Sequence, residues 1–510
     1  MSTPVNPWIV AVAVMLATFM EVLDTTVVNV SLPHIASSLS ATTEEATWGL
    51  TSYLVANAII LPMTGWLATR FGRKRLLMMS TAGFTLASLL CGIAPNLASL
   101  VIFRIIQGVT GGALQPLSQA VLLESFKPED RGRAMGFWGL GVVVAPILGP
   151  IVGGWLTENY SWRWVFYINL PFGIASLLMT RAYVFDPPYL KRESGSIDYW
   201  GMGMLVVGIG ALQYVLDKGQ QDDWFSDNTI LTLSIVAGVA LTTLIIQQLR
   251  SKAPIVDLRL FKDRTYAVGV FLMTVLGFVL YGSLVLLPVM LQTLFGYSSY
   301  QAGEAMVPRG VGSLVMMPIV GALTGMVDPR KLLILGLAIG GGTLIWMGQM
   351  NLNAGYWEVF WPQLIQGAGL ALLFVPLTTV SMATISQARM GFATSLFNLM
   401  RNLGGSVGIA ITATILQRQR QVVGTRLGEH ISVTDPTTQA VFTQMMNGFV
   451  AAGSDTVTAT TQALMAMRGL LLREASMVSF VMLFRLLGVV FLLMIPLVFI
   501  MRRPKGRVAP

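Results

Sequence analysis

Residues 62–75 read Pro62-Met63-Thr64-Gly65-Trp66-Leu67-Ala68-Thr69-Arg70-Phe71-Gly72-Arg73-Lys74-Arg75. An apolar run ends here in a tight, strongly basic turn, and a second apolar run begins at once. The reading is two bilayer-crossing helices joined by a short charged loop. The same punctuation returns later in the chain, where Pro318-x-x-Gly321 is followed by Arg330-Lys331. Met135-Gly136-Phe137 recurs as Met390-Gly391-Phe392, and in that register Gly149 falls on Gly404 and Gly153 on Gly408. Gln107-Gly108 returns as Gln366-Gly367 at nearly the same offset. Two homologous halves are implied.

Composition agrees with this reading. Hydrophobic residues make up 54% of the 510 and charged residues only 11%, which places the chain among all-α polytopic membrane proteins. Apolar stretches of about 20 residues fall near 8–33, 46–68, 75–95, 98–122, 134–157, 164–185, 199–217, 229–248, 266–293, 302–325, 331–350, 357–383, 391–416 and 476–500. Fourteen spans follow. The expected organisation is a six-helix bundle over 1–185, a linker over 186–265 carrying two extra spans and a cytoplasmic amphipathic segment, and a second six-helix bundle over 266–510. A long outer loop lies at about 417–475, polar near 428–440 and more helix-prone beyond, so partial order is expected there. The first span lacks a basic leader and a small-residue cleavage site, and reads as a retained helix.

The net charge of +9 does not point to nucleic acid, because the basic residues sit on alternate loops. Arg70, Arg73, Lys74 and Arg75, then Lys127, Arg131 and Arg133, then Arg181, Lys191 and Arg192, then Arg250, Lys252, Arg259, Lys262 and Arg264 share one side with Arg502, Arg503, Lys505 and Arg507. The opposite short loops carry only Arg163 and Lys218. Positive charge accumulates on the cytoplasmic side, so both termini are expected there.

Within the first span, Asp24 lies in Leu23-Asp24-Thr25-Thr26-Val27-Val28-Asn29-Val30, with Glu21 one turn earlier. A carboxyl group at bilayer depth is costly and by default functional, and low dielectric lets it take up and give back a proton as its surroundings change. The other reading of Asp24 is a buried clamp to a neighbouring helix. Arg104, a permanent cation in the fourth span, needs a partner, for which Asp24 or Glu21 is the natural candidate. It reads either as a sensor of Asp24's charge or as a static packing pair. Glu21 either tunes that pair or meets a cationic substrate. Gln115 and Gln119 lie on the same broad face as Arg104 and are candidates for a substrate cavity. Asn398, Arg401 and Asn402 either line the cavity from the second half or bond helix ends. Glu304 and Arg309, five apart, read as an interhelical clamp.

The motifs in order resemble those of the drug:proton antiporters of the major facilitator superfamily, in the fourteen-span EmrB/QacA group, over essentially the whole chain. Leu23-Asp24-x-Thr26-Val27-x-Asn29-Val30-x-Leu32-Pro33 is similar to that group's first-helix motif. Gly65-x-Leu67-Ala68-x-Arg70-x-Gly72-Arg73-Lys74 resembles the superfamily's signature loop, with Thr69 at its usual acidic position. Arg104-x-x-Gln107-Gly108 resembles the fourth-helix motif, and Gly141-x-x-x-Ala145-Pro146-x-x-Gly149-Pro150-x-x-Gly153-Gly154 the fifth-helix antiporter motif. Trp162-Arg163-Trp164-x-Phe166-x-Ile168-Asn169-x-Pro171 and Pro254-Ile255-Val256-Asp257-Leu258-x-Leu260-Phe261 are similar to further stretches of the group.

The resemblance implies a major-facilitator fold, with substrate bound near the midplane between the halves. It implies gating roles for Gly65, Arg70, Gly72, Arg73 and Lys74. The segment holding Gly141, Pro146, Gly149, Pro150, Gly153 and Gly154 is expected to bend or seal between the halves, since small residues allow close approach and proline kinks a span. In such relatives the outer loop also implies docking to a periplasmic adaptor protein.

No lysine follows a glycine, so no Walker A phosphate loop is present, and with His34, His430 and Cys91 alone no His/Cys metal cluster can be assembled. No catalytic nucleophile with its base is discernible, so an enzyme is not expected. No cofactor is expected either. Energy would come from the proton gradient, about 2.3 kcal/mol per charge per 100 mV. The expected function is export of an amphipathic, cationic or neutral compound in exchange for protons across a bacterial inner membrane. A dedicated exporter of one metabolite, siderophore or lipid, and a non-transporting sensor or scaffold, remain the alternatives.

Overall fold

A computed structural model describes residues 6–186, 198–251, 253–429, 431–432 and 434–501. His430 and the basic residues Lys191, Arg192, Lys252, Arg502, Arg503, Lys505 and Arg507 lie outside the described residues. Among the described residues fourteen helices are long and apolar enough to cross a membrane. In chain order they are α1 Pro7–Ser38, α2 Glu44–Phe71, α3 Arg73–Gly92, α4 Leu97–Ser125, α5 Arg131–Asn159, α6 Trp164–Tyr183, α7 Tyr199–Lys218, α8 Asn228–Arg250, α9 Arg264–Leu294, α10 Tyr300–Met326, α11 Pro329–Met347, α12 Tyr356–Met382, α13 Gln387–Glu429 and α14 Thr456–Val498.

Local chemistry marks their ends. Asn6 caps α1 by accepting from the Trp8 amide, with Pro7 opening the helix. Asp227 caps α8 through the amides of Thr229 and Ile230, and Asp263 caps α9 through that of Tyr266. Between α2 and α3 the turn needs only Gly72, whose φ of +86° a side chain would resist.

The first half is α1–α6 and the second α9–α14. Inside them α1 packs on α5 and α9 on α13, while α2 against α13 and α5 against α10 join the halves. Apolar attraction does not hold helices together in lipid, so contact depends on close approach. Gly65 shows it: a Cβ there would lie 2.7 Å from the Cα of Phe392. On the other seam a Cβ on Gly132 would lie 2.7 Å from the Gly321 carbonyl oxygen, and one on Gly136 2.8 Å from that of Met317. The basic ends of the two halves are therefore sealed against each other.

The inserted α7 and α8 pair with each other at the periphery, and α8 exposes Ile235, Val239, Ile245, Ile246 and Leu249 as a lipid-facing stripe. At its C-terminal end α7, with the turn that follows it, touches both halves. Asp217 accepts from the Thr51 hydroxyl of α2, while Gln213 donates to Ser406 at 3.0 Å and Trp224 to Thr414 at 3.0 Å, both on α13.

Two expectations change. The last two spans do not stop near the membrane boundary: α13 runs on to Glu429 and α14 begins at Thr456, with a separate helix Pro436–Ala451 packed against α14. The described residues of the 417–475 stretch are thus largely helical, with Asp435 capping the Pro436–Ala451 helix and Asp455 the start of α14. Among the described residues of the linker no amphipathic surface helix forms. The linker makes a short 3₁₀ turn, Leu258–Lys262, with Ile255, Val256 and Leu260 buried against the protein. Gln248 accepts from the Ile255 amide at 2.7 Å, which turns that apolar side inward.

Candidate functional site

Asp24 is fully buried on α1, and its two carboxylate oxygens are spoken for. Oδ2 lies 2.5 Å from Arg104 Nη1 on α4. Oδ1 accepts from Gln107 Nε2 at 3.0 Å and from Asn169 Nδ2, on α6, at 2.7 Å. Arg104 also donates through Nε to the Gly49 carbonyl at 2.9 Å, and its guanidinium sits 4.2 Å from the ring centre of Tyr53. Three helices converge on one carboxylate, and a cation–π contact completes the cation's surroundings.

Glu21, one turn earlier, belongs to a different network. Its carboxylate accepts from Gln115 Nε2 at 2.5 Å, Asn57 Nδ2 at 3.1 Å and the Tyr53 hydroxyl at 3.3 Å. Arg401 on α13 donates to the other end of the Gln115 amide, so the second half reaches Glu21 through one glutamine. Asn398 donates to Gln119 Oε1 at 2.6 Å, a second bridge between the halves, and Asn402 stays beside Arg401 at 3.4 Å.

The expected trio of Glu21, Asp24 and Arg104 is thus divided. Asp24 holds Arg104, whereas Glu21 faces the seam, and Tyr53 stands between them with its ring on Arg104 and its hydroxyl on Glu21. Helix α4 breaks at Gly112 and Ala113, and beyond the break Gln115 joins Glu21 on α1 to Arg401 on α13, while Gln119 accepts from Asn398.

At the basic end Arg73 pairs with Glu124 at the close of α4 and reaches across to the Gln387 carbonyl at 3.3 Å. Glu124 thus supplies the acid that Thr69 does not, for Thr69 merely bonds back to the Trp66 carbonyl at 2.8 Å. Lys74 Nζ donates to the Arg181 carbonyl at 2.7 Å, and Arg70 lies over the Trp66 ring at 5.8 Å.

Most small residues of the glycine-proline segment of α5 face α1, while Ile147 and Pro150 of the same segment meet the second half at Gly310 and Gly303. A Cβ on Gly141 would meet Met15, one on Gly149 would strike Thr26, and one on Gly153 would lie 2.9 Å from the Val27 carbonyl oxygen, all on α1. Gly154 has only Val30 nearby, at 3.9 Å. Pro146 and Pro150 sit in an unbroken helix. The seal of the basic ends is made earlier on the same helix, at Gly132 and Gly136, while Gly149 and Gly153 seat α5 on the turn of α1 that follows Asp24. Glu304 and Arg309 form no clamp: Glu304 is exposed and Arg309 is buried among other helices.

A model of the Major Facilitator Superfamily matches residues 14–409. The chain belongs to the major facilitator superfamily. Among curated relatives, the Fatty acid resistance protein FarB of Neisseria gonorrhoeae is 44% identical over 422 residues, 82% of each chain. The Multidrug export protein EmrB of Escherichia coli (strain K12) is 40% identical over 438 residues, 86% of this chain and 85% of the relative. The solved structure of the proton:xylose symporter XylE has a TM-score of 0.56 at 18% identity, over 82% of this chain and 90% of that one, which shows the fold. The two-bundle major-facilitator architecture of this multi-pass membrane protein and its EmrB-type kinship are thereby established.

Within that family frame, Asn169, Tyr53, Asn57 and Glu124 are the site residues that sequence reasoning did not single out. Asn169 stood inside a quoted motif, and its position at the start of a span, as a lone amide among aromatic residues, was the available signal.

Proposed function

We propose that the protein exports amphipathic compounds from the cytoplasm in exchange for protons, with both termini cytoplasmic in a bacterial inner membrane. The reading is carried by one observation: a buried carboxylate, Asp24, ion-paired to Arg104 and fully hydrogen-bonded, one turn from the seam that Glu21, Gln115 and Arg401 bridge. Protonating Asp24 would release Arg104 and loosen three helices at once. The names of the relatives, a multidrug export protein and a fatty acid resistance protein, support small-molecule export and leave open whether the range is broad or restricted to one lipid-like class.

No cofactor is required in this scheme, and the proton gradient supplies the energy. The helical hairpin beyond the membrane is proposed to dock a periplasmic adaptor. Recovery of the adaptor by full chain but not by a chain lacking 425–470 supports this; equal recovery contradicts it.

Proteoliposomes with an imposed pH gradient test the main reading. Lipophilic cations, neutral drugs and fatty acids are added in turn while lumenal pH is followed. Proton movement on addition of at least one class is expected, and a broad or narrow response separates multidrug from dedicated export. Silence with every class, alongside demonstrable binding, contradicts coupled transport.

A further inference from the structure

Arg309, near the start of the Val307–Met326 helix, is a guanidinium 2% exposed at bilayer depth. Nη2 donates to Ser283 Oγ at 3.1 Å and to Gln366 Oε1. Among the described residues Nε and Nη1 have no hydrogen-bond partner, and neither does Oε1 of Gln363, although Gln363 approaches Gln366 Oε1 at 3.4 Å and Met347 Sδ at 3.2 Å. None of the ion pairs among the described residues includes Arg309.

The other buried arginines have an acid in contact or one side chain away. Arg104 has Asp24, Arg73 has Glu124, and Arg401 reaches Glu21 through Gln115. An arginine does not shed its charge at any working pH, so an uncompensated one inside a membrane calls for an anion. The internal repeat says where. At one constant offset of 259, residues 24, 104 and 107 fall on Ser283, Gln363 and Gln366, so in the second half a serine stands at the carboxylate's place and a glutamine at Arg104's, and the cluster's cation comes instead from Arg309, a position outside that register.

We infer that Arg309, Ser283, Gln363 and Gln366 form a binding site for a monovalent anion of the carboxylate class. Guanidinium donors match carboxylate oxygens in geometry and charge. The anion is either a small free carboxylate or the head group of a transported amphipath. The second source rests on the export reading; the site itself does not.

Calorimetric titration of the purified full-length protein in neutral detergent, in low-salt zwitterionic buffer, tests it with sodium formate, sodium decanoate and decanol. Binding of an anion by the parent is expected, at least tenfold weaker in Arg309→Gln and retained in Arg309→Lys. Decanoate binding much tighter than formate assigns the head-group source, and equal binding the free anion. Gln363→Glu builds the counter-charge in, and is expected to raise Tm while abolishing anion binding. The site is overturned if neither anion exceeds decanol in the parent, or if anion binding persists unchanged in Arg309→Gln or Gln363→Glu. These readouts need no turnover, so a failure of coupled transport leaves them standing.

Discussion

Asn169 Nδ2 lies 2.7 Å from Asp24 Oδ1 and 2.9 Å from Ser88 Oγ, tying α1, α3 and α6 to one carboxylate. The amide orients Asp24 toward Arg104 without carrying charge itself. Asn169→Ala is expected to lower coupled transport roughly tenfold, a loss of about 1.4 kcal/mol of positioning, while substrate affinity stays near that of the parent. Transport and binding assays on the same preparation check it; loss of binding alone would assign Asn169 to the substrate.

Breaking the Asp24–Arg104 pair from one side leaves the other charge stranded. Arg104→Ala is expected to cost about 3–5 kcal/mol of stability, and Asp24→Asn combined with Arg104→Gln to recover part of it. Thermal unfolding in detergent across the double-mutant cycle measures the coupling, and simple additivity contradicts the pairing.

Gly65 allows α2 to meet the backbone of Phe392. Gly65→Leu cannot seat, so the basic ends part. Transport is expected to fall steeply, and a cysteine placed at Arg73 to react faster with a water-soluble thiol reagent than it does on the parent background. Equal labelling would show that this seam does not seal the state described.

The pair Gln213 and Ser406 joins α7 to α13 at 3.0 Å near the C-terminal end of α7, where α7 also holds α2. Cysteines at both positions, once oxidised, are expected to arrest transport, with recovery on reduction. Undiminished transport in the cross-linked protein would mean that α7 moves with the second half throughout.

Asp435 and Asp455 cap the outer helices, and hydrogen bonds from the side chains and amides of Thr438 and Thr458 hold both carboxyls below their usual value. A depressed acid contributes stability above its unfolded value and loses it as pH falls through the folded one. Amide protection in the hairpin, measured against intrinsic exchange, is therefore expected to fall below about pH 4, before that of the spans.

The spans and the two halves were legible because bilayer thickness imposes their length and repetition imposes their register, and Asp24 and Arg104 because charges stand out in apolar runs. The partition of Glu21 from Arg104 was not legible, since it depends on Tyr53, Asn57 and Gln115 meeting Glu21 from other helices once the bundle packs. Glu124 beside Arg73 and Arg401 beside Gln115 are pairings between distant residues, set only when helices pack. The extension of α13 and α14 beyond the membrane escaped because hydropathy ends at the interface while helical hydrogen bonding does not.

The central claim is that Asp24 carries the coupling proton, and Asp24→Asn in proteoliposomes tests it most directly. Uphill, pH-driven accumulation of a transported compound is measured beside its gradient-free exchange. The account predicts that exchange survives while uphill accumulation is lost. Accumulation equal to that of the parent would contradict it and make Asp24 a structural clamp.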